Sequence, residues 1–256
     1  MPTYKAKGLI IKSYRLGEAD KIVKIFTPDM GLISAVAKGA FNMKSRFSGR
    51  LELYNVIDCE FSQGRTLDIV SQAEILEIFN GISGDFLKFN YTQSLSEMIL
   101  KTQSEKAASY NLFKLTYLVI KKMNNIDDSN EVFLQMLLIF FMINFSKIMG
   151  YAPMLKCCTV CGCEMLKNPE IFSVKYGGTV CRSCSSGKSG IIFFNDEEMH
   201  LLTGLLSCRL EELTDFKVSY RTSSRILDLM AEYVSFHSEI NLSSLAYLKK
   251  IHKNIV

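Results

Sequence analysis

The sequence predicts an α+β multidomain chain: a small closed barrel of five strands, followed by an all-α domain into which a cysteine-bearing hairpin is inserted. Three observations predict it. Residues 1–80 form short β-type runs separated by turn signals, the apolar period becomes helical after residue 81, and six of the eight cysteines fall within residues 157–184.

The strands come first. "YKAKGLIIKSY" and "KIVKIFT" are followed by the turn "PDMG" and by "LISAVAK", and then "LELYNVIDCEF" and "TLDIVSQAEIL" flank the turn "SQGR". Five short strands in so small a span suggest an OB-fold, a barrel that removes sheet edges and often binds oligonucleotides. The segment "NGISGD", residues 80–85, reads as a linker. Beyond it, "SLSEMILKTQSE" has Ser94 and Glu97 at capping-box spacing, and "NLFKLTYLVIKKM" carries apolar residues at helical intervals. "DSNEVFLQMLLIFFMINFSKIMG" starts with acids, Asp128 among them, and ends at Gly150. Its apolar core is interrupted by Gln135, Asn144 and Lys147 and is shorter than the ~20 residues a membrane span needs, so a buried core helix is expected. Farther on, "NDEEMHLLTGLLSC" offers Asn195 as a cap with Glu198 three residues later, and "SSRILDLMAEYVSFHS" is amphipathic.

The cysteines explain the insertion. Cys158 and Cys161 form one C-x2-C pair and Cys181 and Cys184 a second, with 19 residues between, a spacing that suits a structural zinc site. Between them "IFSVKY", Gly177-Gly178 and "TV" read as a hairpin that carries the second pair back to the first. Gly162 suits the tight turn after Cys161 because glycine tolerates positive φ. This is the pattern of a zinc ribbon. Four cysteines leave no position open for water, so the one expected zinc ion is structural. Cys157 and Cys163 are read as spares, either able to substitute for a neighbour in the first knuckle, and are assigned as bystanders, with Cys157 the alternative to Cys158; Cys59 and Cys208 are read as small buried hydrophobes. The metal reading presumes reduced thiols. "GLII" near the start is too short for a signal-peptide core, so a cytoplasmic location is expected.

The 256 residues are 48% hydrophobic, enough for a core, and carry a formal charge of +4, which permits a polyanion partner without requiring one. Distribution says more. The window "GLISAVAKGAFNMKSRFSGRL", residues 31–51, holds Lys38, Lys44, Arg46 and Arg50 and no acidic residue, with Phe41 and Phe47 interleaved. A single-strand nucleic-acid groove uses such cations for phosphates and such rings for bases. The four cations are assigned to DNA backbone contacts and Phe47 to stacking, against the plainer reading of a solvated loop with core phenylalanines. No catalytic constellation accompanies them. "SSGKSG" has Arg182 where a phosphate-binding loop needs its first glycine, and neither G-x-S-x-G nor HExxH occurs. The chain is read as a non-enzyme, with a zinc-ribbon enzyme acting on nucleotides and a protein-only adaptor as the alternatives.

The expected organisation is an OB-fold nucleic-acid-binding domain at 1–80, a helical domain at 81–154 and 189–256, and a zinc-ribbon insertion at 155–188. In this order the chain resembles the bacterial RecO family of recombination mediators nearly end to end. "LIIKSYRLGEADKIVKIFTPDMGLISAVAKGA" resembles that family's opening, "KSRFSGRLELY" its next block, and "MGYAPMLKCCTVCG" with "FSVKYGGTVCRSC" its zinc region. "RILDLMAEYVSFHSEINLSSLAYLKK" is similar but less specific. Some members lack cysteines here, so zinc rests on this sequence's own residues. The resemblance implies a DNA-repair protein of the RecF pathway that binds ssDNA and dsDNA and anneals complementary strands, and it narrows the expected cytoplasmic location to the nucleoid. It also implies that RecR is a partner in loading RecA onto DNA coated by single-strand-binding protein (SSB). The helical domain would contact the acidic C-terminal tail of SSB, for which Lys121 and Lys122 are candidates.

Overall fold

The computed structural model describes residues 2–126, 130–165 and 170–255, except for the side chains of Lys249 and residues 251–255. The chain forms two compact units, Met1–Ile126 and Asp127–Val256.

In the first unit, β1 (Thr3–Leu16), β2 (Asp20–Thr27), β3 (Gly31–Ala37), β4 (Val56–Ser62) and β5 (Asp68–Glu77) close into a barrel of order β1-β2-β3-β5-β4. Closure depends on two features. The long β1 pairs antiparallel with β4 through its first half and with β2 through its second, and a bulge between Ile10 and Lys12 bends it between them. The short parallel pairing of β3 with β5, Ala35 opposite Asp68, joins the remaining edges. Ile10, Val23, Ile25, Ile33, Ile57 and Phe61 fill the interior.

Strand β4 starts five residues later than "LELYNVIDCEF" suggests. Tyr54 takes a φ of 68°, and the Asn55 amide donates to the carbonyls of Gly49 and Arg50, so the chain is still turning at residue 55. The expected linker is also different: Asn80–Ser83 forms a short helix, α1. Helix α2 (Phe86–Thr102) is capped by Asp85, which accepts from the Lys88 amide, and Ser94 lies inside it, bonded back to the Asn90 carbonyl. The capping-box spacing at Ser94 was therefore coincidental; α2 begins a full two turns earlier, at Phe86, in sequence with little apolar period. Helix α3 (Tyr110–Asn124) completes the unit. The barrel itself ends at Glu77, and the three helices that follow belong to the same compact unit.

The second unit is built around α4 (Glu131–Ile148). By length and composition it could cross a membrane, yet 67% of it is buried, among α6 (Asp196–Ser207) and α7 (Tyr220–Ser238). Asn130 caps α4, and Asp128, the acid expected at its start, lies outside the described residues. The Asn195–Glu198 capping box of α6 forms in full. Helix α8 (Ser243–Ile255) ends the chain. Between α4 and α6 stand β6 (Ile171–Ser173), β7 (Gly178–Thr179), the one-turn helix α5 (Arg182–Ser185) and β8 (Ile192–Phe193), with sheet order β7-β6-β8. The hairpin turn is longer than the sequence suggests. Ser173 pairs with Gly178, so the turn spans residues 174–177 and Gly178 is already strand. A Cβ on Gly178 would lie 2.1 Å from the Met154 carbonyl oxygen, and this close approach of backbone to backbone requires glycine there.

Candidate metal centre and nucleic-acid interface

The first knuckle is made by a turn. Gly162, at a φ of 75°, donates its N–H to the Cys158 carbonyl, and the Cys158 N–H reaches the Cys163 carbonyl, each at 2.8 Å. This folding turns the local amides toward sulfur. Burial raises the Cys158 thiol, but the N–H groups of Cys181, Cys161 and Val160 and the Cys161 thiol outweigh it and bring it down to about 6. Cys161 is lowered too, first by the Cys163 N–H and then by the Cys163 thiol. Cys181 arrives at the N-cap of α5, and its own N–H donates to the Cys158 sulfur at 3.3 Å. These amides favour thiolates, the form a metal binds.

The sulfurs of Cys158, Cys161, Cys163 and Cys181 all lie within 4.8 Å of one another and can hold a metal ion. Cys184 touches the same group: its thiol is pushed up to about 12, chiefly by contact with the Cys181 sulfur and then the Cys161 sulfur. At a zinc–sulfur distance of ~2.3 Å, a tetrahedron has sulfur–sulfur edges of about 3.8 Å. The Cys161 and Cys181 sulfurs are 3.8 Å apart. Donor chemistry and spacing therefore fit a four-thiolate ion. The expected set was Cys158, Cys161, Cys181 and Cys184; the structure brings in Cys163 as well, which the sequence reading set aside. Cys157 turns away, its sulfur against Met154 at 3.0 Å. Cys59 is a core residue of the barrel, and Cys208 is partly buried at the C-cap of α6.

The basic window forms an ordered strap between β3 and β4. Successive i to i+3 bonds link Gly39, Asn42, Ser45 and Ser48, another joins Phe47 to Arg50, and the Phe41 N–H reaches the Ala19 carbonyl. Lys38, Lys44, Arg46 and Arg50 are exposed, with Arg50 also donating to the Ala73 carbonyl at 3.0 Å. Phe47 does not join them. It is 3% exposed and packs in the barrel core with Leu51, so its face is closed to a base, and the assignment of Phe47 to stacking is corrected. Phe47 and Leu51, four residues apart, are buried, while Arg46 and Arg50, also four apart, stay exposed, Arg46 with its guanidinium 4.9 Å from the Phe47 centroid.

Phe41 is the ring the strap presents. It is 46% exposed, with the Arg15 guanidinium 5.1 Å and the Lys21 ammonium 5.2 Å from its centroid. Arg15 was not foreseen, because it lies on β1, far away in sequence, and no local pattern singles it out. Lys121, a candidate for an acidic tail, is held by Glu77 at 2.9 Å and by the Tyr117 hydroxyl.

Comparison with known proteins agrees with this architecture. The family profile described as "Recombination protein O N terminal" matches residues 1–79, and that described as "Recombination protein O C terminal" matches residues 83–246. The chain belongs to the RecO family. Members similar to it, each named DNA repair protein RecO, include that of Caldanaerobacter subterraneus subsp. tengcongensis, 28% identical over 96% of this chain and 98% of the relative. That of Alkaliphilus metalliredigens is 29% identical over 96% and 99%, and that of Rubrobacter xylanophilus 33% identical over 73% of each. Family membership places the chain in DNA repair and recombination.

Proposed function

We propose that the chain is a non-catalytic recombination mediator that binds ssDNA and dsDNA on the strap face of its barrel and anneals complementary strands. With RecR, it would promote RecA loading onto SSB-coated ssDNA in the RecF pathway, in the cytoplasm at the nucleoid. Its metal is one structural zinc, held by Cys158, Cys161, Cys181 and Cys184. The partners and the annealing rest on family membership; the DNA surface rests on the strap. The observation that carries it is the half-exposed Phe41 ring with the Arg15 guanidinium 5.1 Å from its centroid, on the same strap as the exposed cations Lys38, Lys44, Arg46 and Arg50; Lys21, also near the ring, is buried and paired with Glu52. Such a surface offers charge to phosphates and a π-face to a base.

The test is a salt titration of oligodeoxythymidine binding by fluorescence anisotropy. Lys38, Lys44 and Arg46 are replaced together by Ala, sparing Arg50 because it also supports β5 through Ala73. Single-strand binding releases about 0.7 counterion per phosphate contact, so three lost contacts flatten the log–log salt slope by about 2. An unchanged slope in a folded variant would reduce the strap to a solvated loop.

A further inference from the structure

Tetrahedral zinc takes four thiolates, and the structure supplies five. Cys158, Cys161 and Cys181 are common to every arrangement, because both remaining thiols converge on this trio. Cys163 contacts the sulfurs of Cys161 and Cys181, and Cys184 contacts those of Cys181, Cys161 and Cys158. The two approach from different elements. Cys163 follows the Gly162 turn of the first knuckle, whereas Cys184 stands on α5. The Cys163 sulfur already lies within 4.8 Å of all three members of the trio, at most about 1 Å beyond a tetrahedral edge. Gly162 between Cys161 and Cys163 has open space around its Cβ position and no side chain to hinder a small rotation of the turn.

We infer that Cys163 and Cys184 are interchangeable fourth ligands of one metal centre, so that the ion keeps a four-thiolate shell when either is lost. This rests on the zinc reading above and deepens it. At any moment one of the two is a free thiol beside a metal-bound trio, and exchange needs only that thiol to lose its proton to solvent as the other regains one. Neither oxidant nor reductant is involved.

The experiment uses the full chain with Cys158→Ser, Cys163→Ser, Cys184→Ser and the double variant Cys163→Ser with Cys184→Ser. Zinc content is measured after dialysis against a competing chelator, and the coordination shell is read from the thiolate-to-metal charge-transfer band after substitution with cobalt(II). Expected is about one zinc per chain and a four-thiolate cobalt spectrum in each of the variants at 163 and 184 alone. The double variant should lose a thiolate from the spectrum and bind zinc weaker by on the order of 100-fold. If Cys184→Ser alone loses the four-thiolate spectrum, Cys163 does not substitute and the inference fails, with the zinc site intact as proposed. If Cys163→Ser alone loses it, the fourth ligand is Cys163 only and the inference fails as well. Retention of zinc by Cys158→Ser at wild-type affinity would instead overturn the zinc site itself.

Discussion

Replacing Phe47 and Phe41 separately by Ala separates the fold from the function of the strap. Phe47 is 3% exposed among Leu51, Ile57 and Phe61. Its removal therefore forfeits nearly the whole transfer free energy of a phenyl ring, ~2 to 3 kcal/mol. The cavity left behind brings the total to about 3 to 5 kcal/mol. For a unit of this size that corresponds to a melting temperature lower by roughly 10 °C or more. Phe41 is half exposed and packs under two cations, so its loss should change stability by less than about 1 kcal/mol. Binding should respond in the opposite order. Phe41→Ala should lose ~1 to 3 kcal/mol of single-strand affinity, about 5- to 150-fold. Phe47→Ala, assayed below its melting temperature, should bind within a few-fold of the parent. Calorimetry and anisotropy at one low salt concentration give both quantities. A Phe47→Ala protein that melts like the parent but has lost DNA affinity would refute the reasoning, since it would mean that the strap opens and Phe47 is the stacking ring after all.

Three further outcomes are expected. Gly178→Ala places a methyl 2.1 Å from the Met154 carbonyl oxygen, so it should displace β7 and reduce zinc retention in dialysis, whereas an unaltered zinc content would show that the Met154 contact is dispensable. Burial raises the Glu77 carboxyl, but Tyr117 and Lys121 outweigh it and hold it below its ordinary value of 4.5; its folded form thus titrates below its unfolded form. The resulting stability is complete above that ordinary value and lost as pH falls through the lowered one, so Glu77→Gln should flatten the acid limb of a stability-versus-pH curve measured by urea melts. Chelation of the metal should lower the melting temperature of the second unit, read by near-ultraviolet circular dichroism of its tyrosines, and leave the barrel's transition in place.

The barrel and the clustering of the cysteines were the most legible parts of the chain, for different physical reasons. A strand must alternate and a hairpin must turn within a few residues, so "KIVKIFT", "PDMG" and "LISAVAK" could be read locally, and the pairs Lys21 with Ala37 and Thr27 with Gly31 form over that turn. The cysteine pairs were legible because tetrahedral coordination fixes chemistry and spacing together. What escaped depended on contacts made across the chain. Cys163 looked idle because its only neighbour in sequence is the first knuckle, and its place near Cys181 appears only once the hairpin returns. Ser94 looked like a cap because a capping box is defined by two residues, and burial alone distinguishes a mid-helix serine bonded to the preceding turn. Phe41 and Phe47 are indistinguishable by composition; a chain of one-turn bonds in the strap sends one outward and the other inward.

The ribbon is too small to hold itself together, and its attachments show why a metal there matters beyond its own residues. Its own cluster is Cys158, Ile171 and Val180, with a few half-buried neighbours, far less apolar burial than a free-standing module needs. A metal held by the proposed thiolates would make up that deficit. The ordered hairpin in turn gives the helices something to bind. The Thr179 N–H reaches the Met154 carbonyl at 2.8 Å and the Met154 N–H reaches the Gly177 carbonyl at 3.0 Å, which stitches the segment after α4 onto β7. From the other side, α7 sends Tyr233 to the Gly177 carbonyl at 3.3 Å and His237 to the Val174 carbonyl at 2.9 Å, while the Phe172 ring of β6 packs against Tyr233. Helix α7 therefore takes both turn residues and strand residues of the hairpin as packing partners. Without a metal, the hairpin would lack its attachment at Cys181, and Tyr233 and His237 would lose the Gly177 and Val174 carbonyls that orient them. Melting should then spread from the knuckles into the α4–α7 core.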